Sequence, residues 1–270
     1  MKDSLKLMCM LAHPDDESLG NGGALAKYAA EGVETYLVCA TRGERGWWGN
    51  ETDYPGLAAL GKIREAELLS AAKTLGLREV NFLDYIDGDL DQADPAEATR
   101  QIVGHLRRVK PQVVITFDPA GAYGHPDHIA ICQFTTAAIV CAADARYADS
   151  GQTAPHRVSK LYYMADTQAL MEFYESAFGD VVMPVDGVDR RPVPWPDWAI
   201  SASLDCRAHW STVWQAISCH QSQLPAYNRI EQAIQSADAG ILSRQTYFRA
   251  LSLVNGGRHV ETDLFEGLRE

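Results

Sequence analysis

The feature that most constrains the fold of this 270-residue chain is an alternation in its first half, where short apolar runs are interleaved with longer helical stretches. Residues 5–11, 35–40, 80–83 and 113–117 read as strands. Residues 19–31, 57–75, 96–109 and 127–142 read as helices, and Gly32 and Gly76 stop the first two. Strands that alternate with helices build a parallel sheet with right-handed crossovers. Such sheets collect ligand-binding residues at the carboxyl ends of their strands. The expected fold class is α/β, a Rossmann-like, mostly parallel sheet flanked by helices. After residue 144 the pattern loosens into an irregular C-terminal extension. There 161–164 and 198–205 read as strands, and 207–221 as a helix that Asp205 can cap. Residues 182–198 hold Pro184, Pro192, Pro194 and Pro196 and read as a long surface excursion. The tail 246–265 is expected to dock. No repeat or clear linker interrupts the chain, so a single domain over 1–270 is expected, with a core at 5–145 and a substrate-side portion at 146–270.

Composition narrows the function classes. A hydrophobic content of 46% suffices for a full core. A net charge of -12 argues against general affinity for nucleic acid or anionic membrane. No stretch approaches the roughly 20 apolar residues of a membrane span. The opening Met1-Lys2-Asp3-Ser4 has no signal-peptide pattern. Cys9, Cys39, Cys132, Cys141, Cys206 and Cys219 form no C-x-x-C pair and read as reduced thiols of a cytoplasmic protein.

Two short motifs carry the chemistry. Ala12-His13-Pro14-Asp15-Asp16-Glu17 follows the first strand, and Gly124-His125-Pro126-Asp127-His128 follows the fourth. Each puts imidazole and carboxylate groups at a strand-to-helix turn. Together they offer more donors than one ion needs, which suits a hydrolytic site with an open water position and an acid and base beside it. His13 and Asp16, three apart across a turn that Pro14 can start as first helical residue, can share an ion. Asp15 cannot point the same way if the turn is tight and is then free to contact a metal-bound water. His125 and His128 are also three apart: one can ligate while the other faces substrate, and Asp127 can fix a ring by accepting its N–H. Two His and one Asp suit Zn²⁺ or another divalent transition metal. Each motif also has a plainer reading, as helix-start acids favoured by the dipole and as ordinary loop histidines. Their placement at carboxyl ends of one sheet favours the site.

The sequence resembles the PIG-L/LmbE-like metal-dependent de-N-acetylases, which include deacetylases of mycothiol and bacillithiol biosynthesis and of the glycosylphosphatidylinositol precursor. The resemblance rests on A-H-P-D-D-E at 12–17 with Gly20 and Gly22-Gly23, T-R-G-E at 41–44, I-R-E-A-E-L at 63–68 and D-P-x-G-x-Y-G-H-P-D-H at 118–128, with a weaker echo at 198–223. It implies that His13, Asp16 and His128 bind the metal, usually Zn²⁺, with Fe²⁺ as an alternative. It implies Asp15 as general base, His125 with Tyr123 as stabilisers of the oxyanion, and Asp127 as the group that orients a histidine. Either Asp15 or His125 protonates the leaving amine. Arg64, Arg42 and Trp47 are candidate substrate-binding residues. For Arg64 the plainer reading is an ion pair with Glu65 or Glu67; for the Trp47 loop it is a lid packed on the protein. Glu44 can line the site or only brace its loop, and Asp87 and Asp89 can bind hydroxyls or simply be solvated. His220, like His105, His156, His209 and His259, has no motif context and reads as structural.

The function implied is metal-dependent removal of an acetyl group from an N-acetylglucosamine-like or other N-acylated small molecule. A thiol-conjugate amidase is the alternative within the family, and the family allows a homo-oligomer. The rival class is a non-catalytic sugar- or small-molecule-binding protein, which has no need of Asp15. A nucleotide-dependent enzyme is excluded, because the first turn carries carboxylates where a glycine-rich phosphate loop would stand.

Overall fold

A computed structural model describes residues 4–149, 151, 153–224 and 243–269. The opening Met1, Lys2 and Asp3 lie outside the described residues. The first half alternates as its sequence pattern requires: β1 (Lys6–Leu11), α1 (Asp16–Leu19), α2 (Gly22–Ala30), β2 (Glu34–Thr41), α3 (Leu57–Leu75), β3 (Glu79–Tyr85), α4 (Pro95–Val109), β4 (Val113–Thr116), a single turn α5 (Gly121–Gly124) and α6 (Pro126–Ala143). The second half holds β5 (Lys160–Met164), α7 (Gln168–Phe178), β6 (Met183–Val185), β7 (Val188–Arg190), β8 (Ala202–Asp205), α8 (Trp210–Ile217) and β9 (Arg244–Ser252).

The main sheet has seven strands in the order β3-β2-β1-β4-β5-β9-β8. The first five pair in parallel, while β9 runs antiparallel to both β5 and β8. Leu7 to Leu11 of β1 and Val113 to Thr116 of β4 are fully buried, because helices cover both faces of the sheet centre. Strand order reverses between β1 and β4, so their carboxyl ends open the crevice where doubly wound sheets bind ligands. Both motifs sit on that crevice.

The structure refines several expectations. The helix read at 19–31 is two helices, broken at Gly20 and Asn21. A Cβ on Gly23 would stand 2.6 Å from the Cys206 Cβ, so this glycine lets α2 pack against the end of β8. The excursion at 182–198 contains the hairpin β6–β7, turned by Asp186 and Gly187, both at positive φ. The docked tail begins as β9, which is inserted between β5 and β8, and α7 forms where no helix was expected. Asp205 accepts the Arg207 amide at 3.1 Å at the start of a short 3-10 turn that leads into α8.

Candidate active site

The loop after β1 is tight. Asp15 adopts φ 112° and ψ −28°, a left-handed conformation costly for a residue with a β-carbon. Its carbonyl accepts the Ser18 and Leu19 amides at 3.0 and 2.9 Å, and its own amide donates to Glu17 Oε2 at 3.0 Å. Because Asp15 takes the N-cap place, α1 starts at Asp16, and Pro14 stands outside the helix instead of at its first position. Asp16 Oδ2 accepts the amides of Ala12 and His13 at 3.1 and 2.7 Å, which turns its carboxylate back over the strand end.

The loop after β4 ends in an unusual cap. His125 is the N-cap of α6, and its Nδ1 accepts the Asp127 amide at 3.1 Å, with Pro126 as first helical residue. A ring nitrogen that accepts an amide hydrogen bears no proton, so the His125 proton is on Nε2. His128, one turn further, stacks on Phe117 with ring centroids 3.7 Å apart.

The two loops meet. His128 Nε2 lies 3.2 Å from His13 Nδ1, and Asp16 reaches them with different oxygens, Oδ2 at 3.8 Å from His13 Nδ1 and Oδ1 at 3.8 Å from His128 Nε2. On the far side of the His13 ring, Nε2 meets Asp127 Oδ2 and Asp87 Oδ1, each at 3.1 Å. Two carboxylates there demand an N–H, which leaves the lone pair on Nδ1 facing His128. The Gly121 backbone lies beside His128 Nδ1 without forming a well-aligned hydrogen bond. Two ring nitrogens at 3.2 Å need a proton or a cation between them. Donors of a tetrahedral ion with bonds of about 2.0–2.1 Å stand roughly 3.3 Å apart. Two imidazoles and a carboxylate at nearly that spacing fit a divalent metal, and an Asp–His pair behind one ligand is a common support for it.

The electrostatics are those of a cation site. Burial opposes a charged His13 ring, but Asp87, Asp127 and Asp16 outweigh it and raise its pKa well above the usual imidazole value. Burial pushes Asp16 up to about 7, with His13 pulling the other way. Burial and the nearby His13 hold His125 down to about 4 and His128 well below its usual value. Asp87 stays below the usual carboxylate range, since the His13 ring outweighs burial. Tyr123 presents its ring edge to His128 at 5.2 Å, and burial raises its pKa, so it keeps its phenolic proton.

The remaining predicted residues lie on the surrounding loops. Arg64, from α3, is buried and donates to the Gly43 and Pro14 carbonyls and to Asp15 Oδ2 at 3.1 Å. Its carboxylate partner is thus Asp15, with Glu65 instead engaged by Arg42 and Glu67 by Ser222. Arg42 also pairs with Asp84 and covers Phe82. Trp47, itself half-buried, donates to the Asn50 carbonyl and tilts against Tyr54 in an otherwise exposed loop. Glu44 braces that loop by accepting the Arg42 and Asp87 amides. Two participants had no local signal. Asp87, which the sequence offers as a hydroxyl-binding or solvated acid, is buried on His13; His220 is fully buried on Glu17 at 2.8 Å.

An α/β sheet with a His-His-Asp donor set at its switch point defines a class of candidate metal-dependent hydrolases. Residues 8–139 match the family described as PIG-L, GlcNAc-PI de-N-acetylase. The 1D-myo-inositol 2-acetamido-2-deoxy-alpha-D-glucopyranoside deacetylase of Rhodococcus jostii is 33% identical to this chain, over 97% of this chain and 98% of that protein. The chain therefore belongs to the PIG-L family. Among solved structures, the N,N'-diacetylchitobiose deacetylase of Pyrococcus horikoshii superposes with a TM-score of 0.69 at 21% identity, covering 92% of this chain and 84% of that one. The hydratase GalB of Pseudomonas putida, which acts on 4-carboxy-2-hydroxymuconate, superposes at 0.63 and 20% identity over 94% and 99%. The fold is common to all of these, so the reaction has to be argued from the site.

Proposed function

We propose that this protein hydrolyses the acetamide of an N-acetylglucosaminyl conjugate, with an N-acetylglucosaminyl-inositol of the kind named for its Rhodococcus relative as the first substrate to test. The observation that carries the reading is the convergence of His13 Nδ1, His128 Nε2 and Asp16 beside the Asp15 carboxylate. These three residues would hold a divalent metal. Zn²⁺ suits the two-nitrogen, one-oxygen set, and Fe²⁺ is the alternative. Such an ion supplies Lewis-acid polarisation of a carbonyl and acidifies water.

The chain's own groups do the rest. Asp15 takes the proton of the attacking water. His125, neutral because its Nδ1 accepts an amide, offers Nε2–H to the oxygen that gains charge, and Tyr123 offers its hydroxyl to the same atom. A neutral imidazole that already donates through Nε2 is a poor acid, so Asp15 returns the proton to the leaving amine. Asp127 and Asp87 hold the His13 ring. Arg64 positions Asp15, Trp47 offers a stacking face for a sugar, and Arg42 braces the loop that carries it. The full chain 1–270 acts as one cytoplasmic domain in this reading. Among the described residues no helix is long and apolar enough to cross a membrane. Self-assembly is read by sedimentation.

The test is metal content together with acetate release from the N-acetylglucosaminyl-inositol and from N,N'-diacetylchitobiose, with and without chelator. About one metal per chain and chelator-sensitive acetate release are expected. Bound metal without acetate from either compound would shift the reading to another N-acyl substrate, including a thiol conjugate, or to a binding protein.

A further inference from the structure

Glu17 closes the first motif, yet the proposed chemistry leaves it without a task. It is fully buried. Its Oε2 accepts the amide of Asp15 at 3.0 Å, and its Oε1 accepts the Ser18 hydroxyl and meets His220 Nε2 at 2.8 Å. His220, also fully buried, follows α8 in the C-terminal portion. Its turn is pinned from outside: the Ser222 amide and hydroxyl donate to Glu67 of α3, and Gln223 donates to the Gly46 carbonyl. The cluster is no nucleophilic triad. Ser18 and Glu17 both address the same ring nitrogen, whereas a relay would need one on each. His220 Nδ1 is buried with no hydrogen-bond partner among the described residues, so the ring is committed to its Nε2 contact.

We infer that His220 and Glu17 are positioning residues for Asp15. Asp15 sits at φ 112°, a conformation its own β-carbon disfavours. Something must hold the peptide there, and the Glu17 carboxylate grips the Asp15 amide directly. A carboxylate so short in sequence from its target has many rotamers, and the buried His220 selects one. Through this chain of two contacts, the C-terminal portion sets the aim of the base on the first loop. Arg64 holds the same residue at its side chain, so Asp15 is gripped at both ends. The inference rests on the reading of Asp15 as base.

Five variants test it, by acetate release from the N-acetylglucosaminyl-inositol on metal-loaded protein. His220→Gln keeps a donor for Glu17 and should stay near native. His220→Leu and Glu17→Met remove the grip. Each should lower kcat by about 10- to 100-fold, the loss expected for a small misplacement of a reacting group, at unchanged KM and metal stoichiometry. A native kcat in both, or a loss that follows metal content, would overturn the inference. Should either fail to fold, Glu17→Gln decides: its weaker, neutral acceptor should lower kcat several-fold at unchanged KM, and a native value would overturn the inference. Asp15→Asn separates the two claims. If it is inactive while His220→Leu is native, positioning alone fails. If Asp15→Asn is itself native, the base assignment fails and the inference with it.

Discussion

Asp127 has every lone pair it needs in use. It accepts the Gly88 and Leu90 amides at 2.7 and 3.1 Å and the His13 ring at 3.1 Å, with no exposure to solvent. An asparagine offers one oxygen in place of two and must turn its NH₂ toward another donor. Asp127→Asn should therefore weaken metal affinity by about 10- to 100-fold, the usual result of removing a partner behind a ligand. Competition against a chromophoric chelator reads this, and native affinity would mean that Asp87 alone fixes the ring. Asp15 offers a cleaner contrast. Asparagine tolerates left-handed backbone better than most residues, so Asp15→Asn removes the base and leaves the turn. It should retain metal while kcat falls about 10²- to 10⁴-fold. His13→Ala should instead lose the metal; loss of metal in Asp15→Asn would put Asp15 among the ligands.

At the scale of elements, the loop after β2 explains a motif that residue chemistry alone does not. Arg64 of α3 lies flat on that loop: a Cβ on Gly43 or Gly46 would come within 2.4 or 2.1 Å of its Nη1. Glycine is needed at 46 for close approach, since its φ is ordinary there. Gly46→Ala should push the guanidinium off the Asp15 carboxylate and lower kcat by about 10-fold or more. Thermal melting checks that the fold is intact; native kcat would show that Arg64 finds another route to Asp15. The same scale shows what sequence pattern could reach. α3 ran where its spacing and Gly76 put it, and β1, β2 and β4 were legible because burial on both faces leaves continuous apolar runs. β9 was not, because Arg244–Ser252 sets one buried position, Tyr247, among exposed and half-buried ones without clean alternation. The hairpin had its signal in Asp186-Gly187, which prolines on both sides masked. The motif residues could be found because they cluster along the chain. Asp87 and His220 could not, since each meets its partner only after the sheet and the C-terminal portion have assembled.

For the whole molecule, that assembly depends on a buried clamp far from the site. Glu261 is fully buried and ion-paired to Lys160 of β5, itself fully buried, at 2.6 Å, and to Arg249 of β9 at 3.0 Å, with Tyr162 and Asn255 donating to it as well. It joins the C-terminal tail to the strand where the parallel sheet gives way to antiparallel pairing. Removing one partner of a buried pair strands the other, at a cost of about 3–5 kcal/mol. Glu261→Gln should thus lower the melting temperature by roughly 10 °C, given about 2–4 °C per kcal/mol in chains near this size. Burial by itself would raise the Glu261 pKa, but Lys160 and the other donors outweigh it and hold it below the ordinary 4.5. A carboxylate with a depressed folded-state pKa binds fewer protons when folded, so its contribution is complete above the unfolded-state value and fades as pH falls through the folded one. Wild-type stability should accordingly drop below about pH 4.5 with a steeper slope than that of Glu261→Gln. Parallel slopes in urea melts across that range would show that the clamp acts through packing and not through charge.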